Sequence, residues 1–260
     1  MPSNQRLEYY LKYCRNNFGY LLAEKFIKGY DFYIIGMTDG NTINFVKVVV
    51  AYPLIKLNNN KYIKTGGMGS VSYHKLPPDL SQNEYKRACD CIKSIILTVQ
   101  NKFSKTYTGF ITGQFIKSDS QIYFNEFDIM PGDPEIINFL ETHQGSLKKL
   151  FSDACDGKMG KVNLAKECTA CICLAPDSYP LAYKQQTFKQ IIDQKILKNI
   201  SFGDTLIKNN LVYTGTSRTL VVIGKDMDMS VAKERALTTI KKLNLKLNYN
   251  REIFINKIHS

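Results

Sequence analysis

Glu126 and Asp128 stand two residues apart in EFDIMPGDPE, and a Gly-Asp-Pro-Glu turn follows them at once. On a β-strand, residues i and i+2 point the same way, about 6.5–7 Å apart along the backbone. Two carboxylates so spaced can share a magnesium ion, which takes hard oxygen ligands and usually keeps phosphate oxygens in its shell. A solvated strand face carries the same pair with no metal at all. Strict alternation puts Ile122, Phe124, Glu126 and Asp128 on one face, and Tyr123, Asn125, Phe127 and Ile129 on the other. A second stretch with chemical capacity is TGGMGS, residues 65–70. Its glycines allow close backbone approach to a ligand, and consecutive N–H groups can cradle phosphate or carboxylate oxygens. An ordinary flexible turn is the plainer reading. It is not a P-loop, because no Gly-Lys-Ser/Thr follows and no strand-to-helix frame surrounds it.

Other reactive side chains form no comparable constellation. Seven cysteines lie at 14, 89, 91, 155, 168, 171 and 173. With the polar start MPSNQRLEYY, this usage predicts a reduced, cytoplasmic protein. In ECTACICLA, Cys171 and Cys173 share one strand face while Cys168 points the other way. There is no second CxxC, and His74, His143 and His259 lie in unrelated places, so structural zinc is not expected. The net charge of +12 is carried mostly by lysines spread along the chain; the arginines are Arg6, Arg15, Arg87, Arg218, Arg235 and Arg251. Such a charge invites an anionic partner, yet a coding bias explains the scatter equally well. No apolar run approaches the roughly 20 residues of a membrane span.

The elements that must position these residues read as a mixture. Helical spacing runs from Arg6 to Asn17, and Gly19 ends it. LLAEKFI (21–27), FYIIGMT (32–38) and the run Phe45 to Leu57 read as strands, the last two joined by a turn at DGN (39–41). Ser81 and Glu84 make a capping box that opens a helix with Tyr85, Ala88, Ile92, Ile95, Ile96, Val99 and Phe103 on its apolar side. TGFITGQFI (108–116) and QIYFNEFDI (121–129) form an antiparallel hairpin across KSDS. Asp133 is the expected N-cap of a short helix with Pro134 at its first position, and a second helix spans Ser146 to Ala154. Beyond DGKMGK (156–161), the candidate domain boundary, come the cysteine strand, a Pro176–Pro180 turn and short strands, of which 213–225 is the clearest. Ser230 then caps the last helix. Without strict βαβ alternation the class is α+β.

In this order and at these separations the pieces resemble one family over essentially the whole chain: phosphoribosylamine–glycine ligase, or glycinamide ribonucleotide synthetase, of the ATP-grasp superfamily. TGGMGS is similar to its Asn-Thr-Gly-Gly-Met-Gly loop, and EFDIMPGDPE to its Glu-Phe-Asn, Arg-Phe, Gly-Asp-Pro-Glu signature. LLAEKFIKGYDF resembles the segment that contacts adenine and ribose, and YTGFITGQFI the Gly-Val-Leu-Tyr-Ala-Gly strand. TSRTLVV and YNREI resemble Gly-Gly-Arg-Val-Leu and Tyr-Arg-Lys-Asp-Ile. The resemblance implies the C-terminal half of an ATP-grasp module over 1–160, followed by a small mixed α/β C-terminal domain over 161–260.

By the same resemblance the cofactors are ATP with Mg²⁺ or Mn²⁺, and the substrates are glycine and phosphoribosylamine, joined through glycyl phosphate. Glu126 falls on the magnesium-binding glutamate and Asp128 on an asparagine, keeping an oxygen ligand. Thr65, Gly66 and Gly67 would hold the reacting phosphate or carboxylate. Glu24 falls on the adenine-proximal glutamate, Phe26 belongs to the same segment, and Asp31 falls on the glutamate that holds the ribose hydroxyls. Asp133 and Glu135 are expected to shape the turn. Met130 replaces the signature arginine, and AYPLI (51–55) replaces a charged stretch. The family's N-terminal domain and first ATP-grasp part have no counterpart. Reduced or absent activity is therefore expected, with self-association or a separate protein supplying the other lobe. A pseudoenzyme or binding module is the alternative, and a nucleic-acid-binding protein is the reading least expected.

Overall fold

A computed structural model describes residues 4–56, 61–180, 187–188, 194–209 and 211–254. The helices are α1 (Asn4–Phe18), α2 (Gln82–Phe103), α3 (Glu135–Leu140), α4 (Leu147–Cys155), α5 (Gln194–Leu197) and α6 (Met229–Leu243). The strands are β1 (Tyr30–Thr38), β2 (Ile43–Ala51), β3 (Leu54–Lys56), β4 (Tyr62–Lys64), β5 (Gly69–Ser72), β6 (Gly109–Lys117), β7 (Ile122–Asp128), β8 (Cys168–Leu174), β9 (Thr187–Phe188), β10 (Ile200–Phe202), β11 (Thr205–Lys208), β12 (Leu211–Thr214) and β13 (Leu220–Asp226). Eight strands form one antiparallel sheet in the order β10-β13-β8-β5-β2-β1-β6-β7. Strands from both sides of residue 160 share it, because β5 pairs with β8. The fold is mixed α+β. Among the described residues no helix is long and apolar enough to cross a membrane.

Alternation decides the two faces of the sheet. Phe32 and Ile34 of β1 point with Ile111 and Phe115 of β6 toward Ile92 and Ile96 of α2, and the same core continues to Ala236 and Ile240 of α6. The rings of Phe32 and Phe115 stack with centroids 5.4 Å apart, and burial of each contributes roughly 1.5–3 kcal/mol. On the opposite face Ile35 and Val49 meet Phe139 of α3. Cys171 and Cys173 pack there with Met68, Val221 and Ile223, while Ala170 and Ile172 face the larger core. The capping box at Ser81 and Glu84 is present.

Three expected elements differ. LLAEKFI is no strand: residues 20–28 make no sheet, and Leu22 and Phe26 are 79% and 88% exposed. Its backbone pairs with no sheet edge, and apolar composition alone cannot supply a partner strand. FYIIGMT is a strand as expected, and as β1 it lies between β2 and β6 with both edges paired. The run 213–225 divides into β12 and β13 in different sheets. Between them the Asp204 carboxylate accepts from the Thr216 and Ser217 N–H groups at 2.6 and 2.8 Å and folds the chain into a turn. The last helix is capped by Asp228, which accepts from the Ser230 and Val231 N–H groups. A carboxylate two residues upstream outcompetes the Ser230 hydroxyl because it adds charge to the cap.

The β1–β2 turn is tied to the 156–161 stretch by Asp39, which is buried. One carboxylate oxygen accepts from the Asn41 and Thr42 N–H groups at 2.9 and 2.7 Å, and the other from the Met159 N–H at 3.0 Å. These bonds, led by that of Thr42, hold its pKa below the usual carboxylate range. Asp39→Ala is expected to cost about 2 kcal/mol in urea unfolding at neutral pH, because buried N–H groups lose their acceptor. Because the folded value is depressed, the wild type's advantage disappears as pH falls through it. An advantage that persists at low pH would contradict this role.

Candidate functional site

The site is built on the outer strands, and a bulge decides its geometry. Gln114 of β6 pairs with Glu126, but Phe115 pairs with Phe124, so Asn125 is an extra residue in β7. A bulge of this kind reverses the alternation on either side of it. Ile122, Phe124 and Phe127 consequently share the α2 face, where Phe124 meets Phe115 at 5.6 Å and Phe127 at 6.5 Å. Glu126 and Asp128 lie on the opposite face, exposed. The expectation that Ile122 and Phe124 share the carboxylates' face is therefore corrected. The i, i+2 relation of Glu126 and Asp128 themselves lies beyond the bulge and is kept.

That face forms a continuous row across the sheet. Glu126 pairs with Gln114, and Gln114 with Tyr33 of β1. One step along, Asp31 pairs with Ile116. Burial pushes the Tyr33 hydroxyl well above its ordinary range, and the charges of Glu135, Asp31, Glu126 and Asp128 add to the effect in that order. Four carboxylates from three elements thus act on one phenol.

Beside this row a cleft of about 380 Å³ is lined by Phe26, Asp31, Tyr52, Lys64, Ile116 and Asn125, among others. Asp31 meets Lys64 at 3.8 Å. Phe26 and Asp31 are thus brought to one cleft, while Glu24 lies in the exposed 20–28 segment outside its lining.

The glycine loop is held from both ends. The Thr65 N–H and hydroxyl donate to the Pro53 carbonyl at 2.8 and 2.7 Å, and the Met68 N–H donates to the Tyr52 carbonyl. AYPLI, without charged chemistry, serves as this anchor. Gly67 has φ +126°, and a Cβ there would stand 3.1 Å from the Asp133 carbonyl oxygen. Only glycine fits such a conformation at such an approach.

Arg218 occupies the gap between this loop and the 132–134 turn. Its Nη1 donates to the Gly67 carbonyl at 3.0 Å and also to the Asp133 carbonyl, and its Nη2 meets the Asp133 carboxylate at 3.0 Å. Asp133 is therefore not a helix cap. The N-cap of α3 is Pro134, with no side-chain bond, because a guanidinium offers that carboxylate a charge-assisted partner. The guanidinium binds protein groups 85 and 151 residues away in sequence, and local spacing gives no sign of that.

Glu135 also exceeds its expected role. Its side chain is 4% exposed, and burial, with the nearby Asp133 charge, raises its carboxyl to about 7. Its position at the start of an apolar helix turn is the only signal the sequence carries. Met130, where the arginine was expected, is exposed.

Two carboxylates on one exposed face suit a hard cation that completes its shell with phosphate and water. Among the described residues no group of three or more potential ligands converges on one point. Glu126 and Asp128 thus fit magnesium carried in with a nucleotide better than a closed protein cage.

Residues 12–136 match the family model described as phosphoribosylglycinamide synthetase, ATP-grasp (A) domain. The phosphoribosylamine–glycine ligase of Methanococcus maripaludis (strain C5) is 29% identical over 247 residues, which cover 90% of this chain and 54% of the relative. That of Methanococcus vannielii is 30% identical over 250 residues, covering 91% and 53%. The crystal structure of phosphoribosylamine–glycine ligase from Thermotoga maritima superposes with a TM-score of 0.70 at 19% identity, covering 88% of this chain and 56% of that one. The fold is shared. The chain spans about half the length of the curated relatives it matches.

Proposed function

We propose that this chain, which belongs to the phosphoribosylamine–glycine ligase family of ATP-grasp proteins, presents the metal and acyl-phosphate side of that ligase's site. The reaction would join glycine to 5-phosphoribosylamine at the expense of ATP, slowly or not at all in the isolated chain. One observation carries the reading: a single sheet face gathers Asp31, Glu126 and Asp128 around Tyr33, next to the stapled glycine loop. Glu126 and Asp128 would hold Mg²⁺ or Mn²⁺, which neutralises a phosphoryl group in transit. Thr65, Gly66 and Gly67 would orient the reacting carboxylate or phosphate, while Phe26 and Asp31, with Glu24 nearby, would meet the nucleoside.

The reduced rate is inferred from Met130, which has no donors for an acyl phosphate, and from Arg218, whose donors are occupied by Asp133 and the loop. Tyr20, Leu22 and Phe26 are more than three-quarters exposed. A second copy or a lobe-supplying protein would cover them, as large exposed apolar clusters commonly mark interfaces. The alternative reading, a nucleotide- or protein-binding module that keeps the fold, rests on the same Met130.

Manganese titration of the wild type against Glu126→Gln/Asp128→Asn tests the metal site. Loss of both charges is expected to weaken binding about tenfold or more, equivalent to roughly 1.4 kcal/mol. Identical curves would remove Glu126 and Asp128 from consideration. Turnover of ATP, glycine and phosphoribosylamine by the wild type, lost in the same double variant, would exclude the binding-module reading.

A further inference from the structure

The sheet has a notch on the other side of β2 from this site, with Lys47 and Asp128 in one cross-strand row about 14 Å apart. β2 is nine residues long, yet β5 pairs only with its end, Val50 with Val71 and Ala51 with Ser70. Upstream, β2 faces the segments 73–76 and 164–166 instead of a strand, and a cleft of about 440 Å³ opens there. The Ser72 hydroxyl donates to the Val48 carbonyl at 2.9 Å, closing its inner end. From Pro53, where the glycine loop is anchored, Lys47 is six residues back, roughly 20 Å along the strand.

The lining of this cleft has an unusual charge. It contains Lys47, Lys75, Lys166 and His74 but no carboxylate. Lys75 and Lys166 are exposed at the rim, whereas Lys47 is only 7% exposed. The Lys47 ammonium makes no hydrogen bond or ion pair among the described residues. It is not among the sealed polar atoms, so it opens into the cleft. Burial pushes its amine down, and the charges of Cys168 and then Glu167 only partly oppose this. A largely buried, unpaired ammonium is unfavourable unless an anion meets it. Tyr73, Tyr85 and Phe45 add an aromatic wall.

We propose that this notch is a second binding site, for a small phosphate-bearing anion, with Lys47 as its central contact and Lys75 and Lys166 as flanking ones. Inorganic phosphate and a phosphomonoester share the required chemistry, and the aromatic wall would favour the second. Lys47 shares the sheet face of Tyr33 through its pairing with Ile35, yet the site is independent of the ligase reading, since it uses none of Asp31, Glu126, Asp128 or the glycine loop.

Acetylation footprinting of the full chain, read at Lys47 by mass spectrometry, tests it with inorganic phosphate and with ribose 5-phosphate as separate probes. At roughly ten times the dissociation constant, Lys47 labelling is expected to fall about tenfold. Sodium chloride at equal ionic strength should leave it unchanged. Protection by phosphate should be lost in Lys75→Ala/Lys166→Ala, whose substituted side chains are exposed and do not threaten folding. Stronger protection by ribose 5-phosphate than by phosphate identifies a phosphomonoester site, and equal protection a free-phosphate site. The proposal is overturned if sodium chloride protects as well as phosphate does, or if the double variant is protected like the wild type. It is equally overturned if Lys47 never acetylates, because its ammonium is then closed off from the cleft.

Discussion

Arg218→Ala is expected to lower the unfolding free energy by about 3 kcal/mol and to loosen the glycine loop without altering the sheet. The guanidinium is four-fifths buried and bonds the Gly66, Gly67 and Asp133 carbonyls together with the Asp133 carboxylate. A hydrogen bond to a charged group contributes roughly 1.5–3 kcal/mol, and several such bonds are lost together here. The Asp133 carboxylate is 62% exposed and regains water, so the loss stays at the low end of the roughly 3–5 kcal/mol typical of a fully buried pair. Arg218→Lys separates charge from geometry: one ammonium cannot span both the loop and the turn as the planar fork does. The lysine variant should therefore recover less than half of the loss. Urea unfolding reads the first effect, and amide exchange at Gly67 and Met68 reads the second. A variant as stable as the wild type, with unchanged exchange, would mean that the loop and turn hold each other without Arg218.

The residues that were legible in sequence owe their structure to local rules. Ser81 and Glu84 bond each other three residues apart, as any capping box does. The α2 stripe and the β6–β7 hairpin follow from period and turn composition. The carboxylate pair was legible for the same reason, since Glu126 and Asp128 need only each other's spacing.

What was not legible depends on distant parts of the chain. Whether 21–27 becomes a strand depends on an edge to receive it, and apolar content is silent about edges. The Asn125 bulge is set by register against β6, and it moves Phe124 off the carboxylate face with no signal in QIYFNEFDI. Asp133 would be a good N-cap if no guanidinium competed for it. Arg218 arrives from 85 residues away and changes what that carboxylate does. Tertiary partners override local preference most where charge is involved, and here that is the candidate site.

Glu135→Gln is expected to make the protein more stable above neutral pH, by on the order of 3 kcal/mol, and to leave it nearly unchanged in acid. Burial lifts the wild-type carboxyl from 4.5 to about 7, with the Asp133 charge adding to the rise and the Arg218 charge and a backbone N–H opposing it. Between those values the folded chain keeps a proton that the unfolded chain has released. Stability therefore declines as pH rises through this window and levels off above it. A shift of that size corresponds to roughly 3 kcal/mol. Glutamine has nearly the same shape and no charge to bury, so its stability curve lacks this decline. Urea unfolding of both proteins from pH 4 to pH 9 measures the difference directly. A gap that does not depend on pH would show that the carboxyl ionises freely in the fold. Removal of Arg218 provides an internal control: its charge favours the ionised carboxylate, so in Arg218→Ala the declining window should move to higher pH.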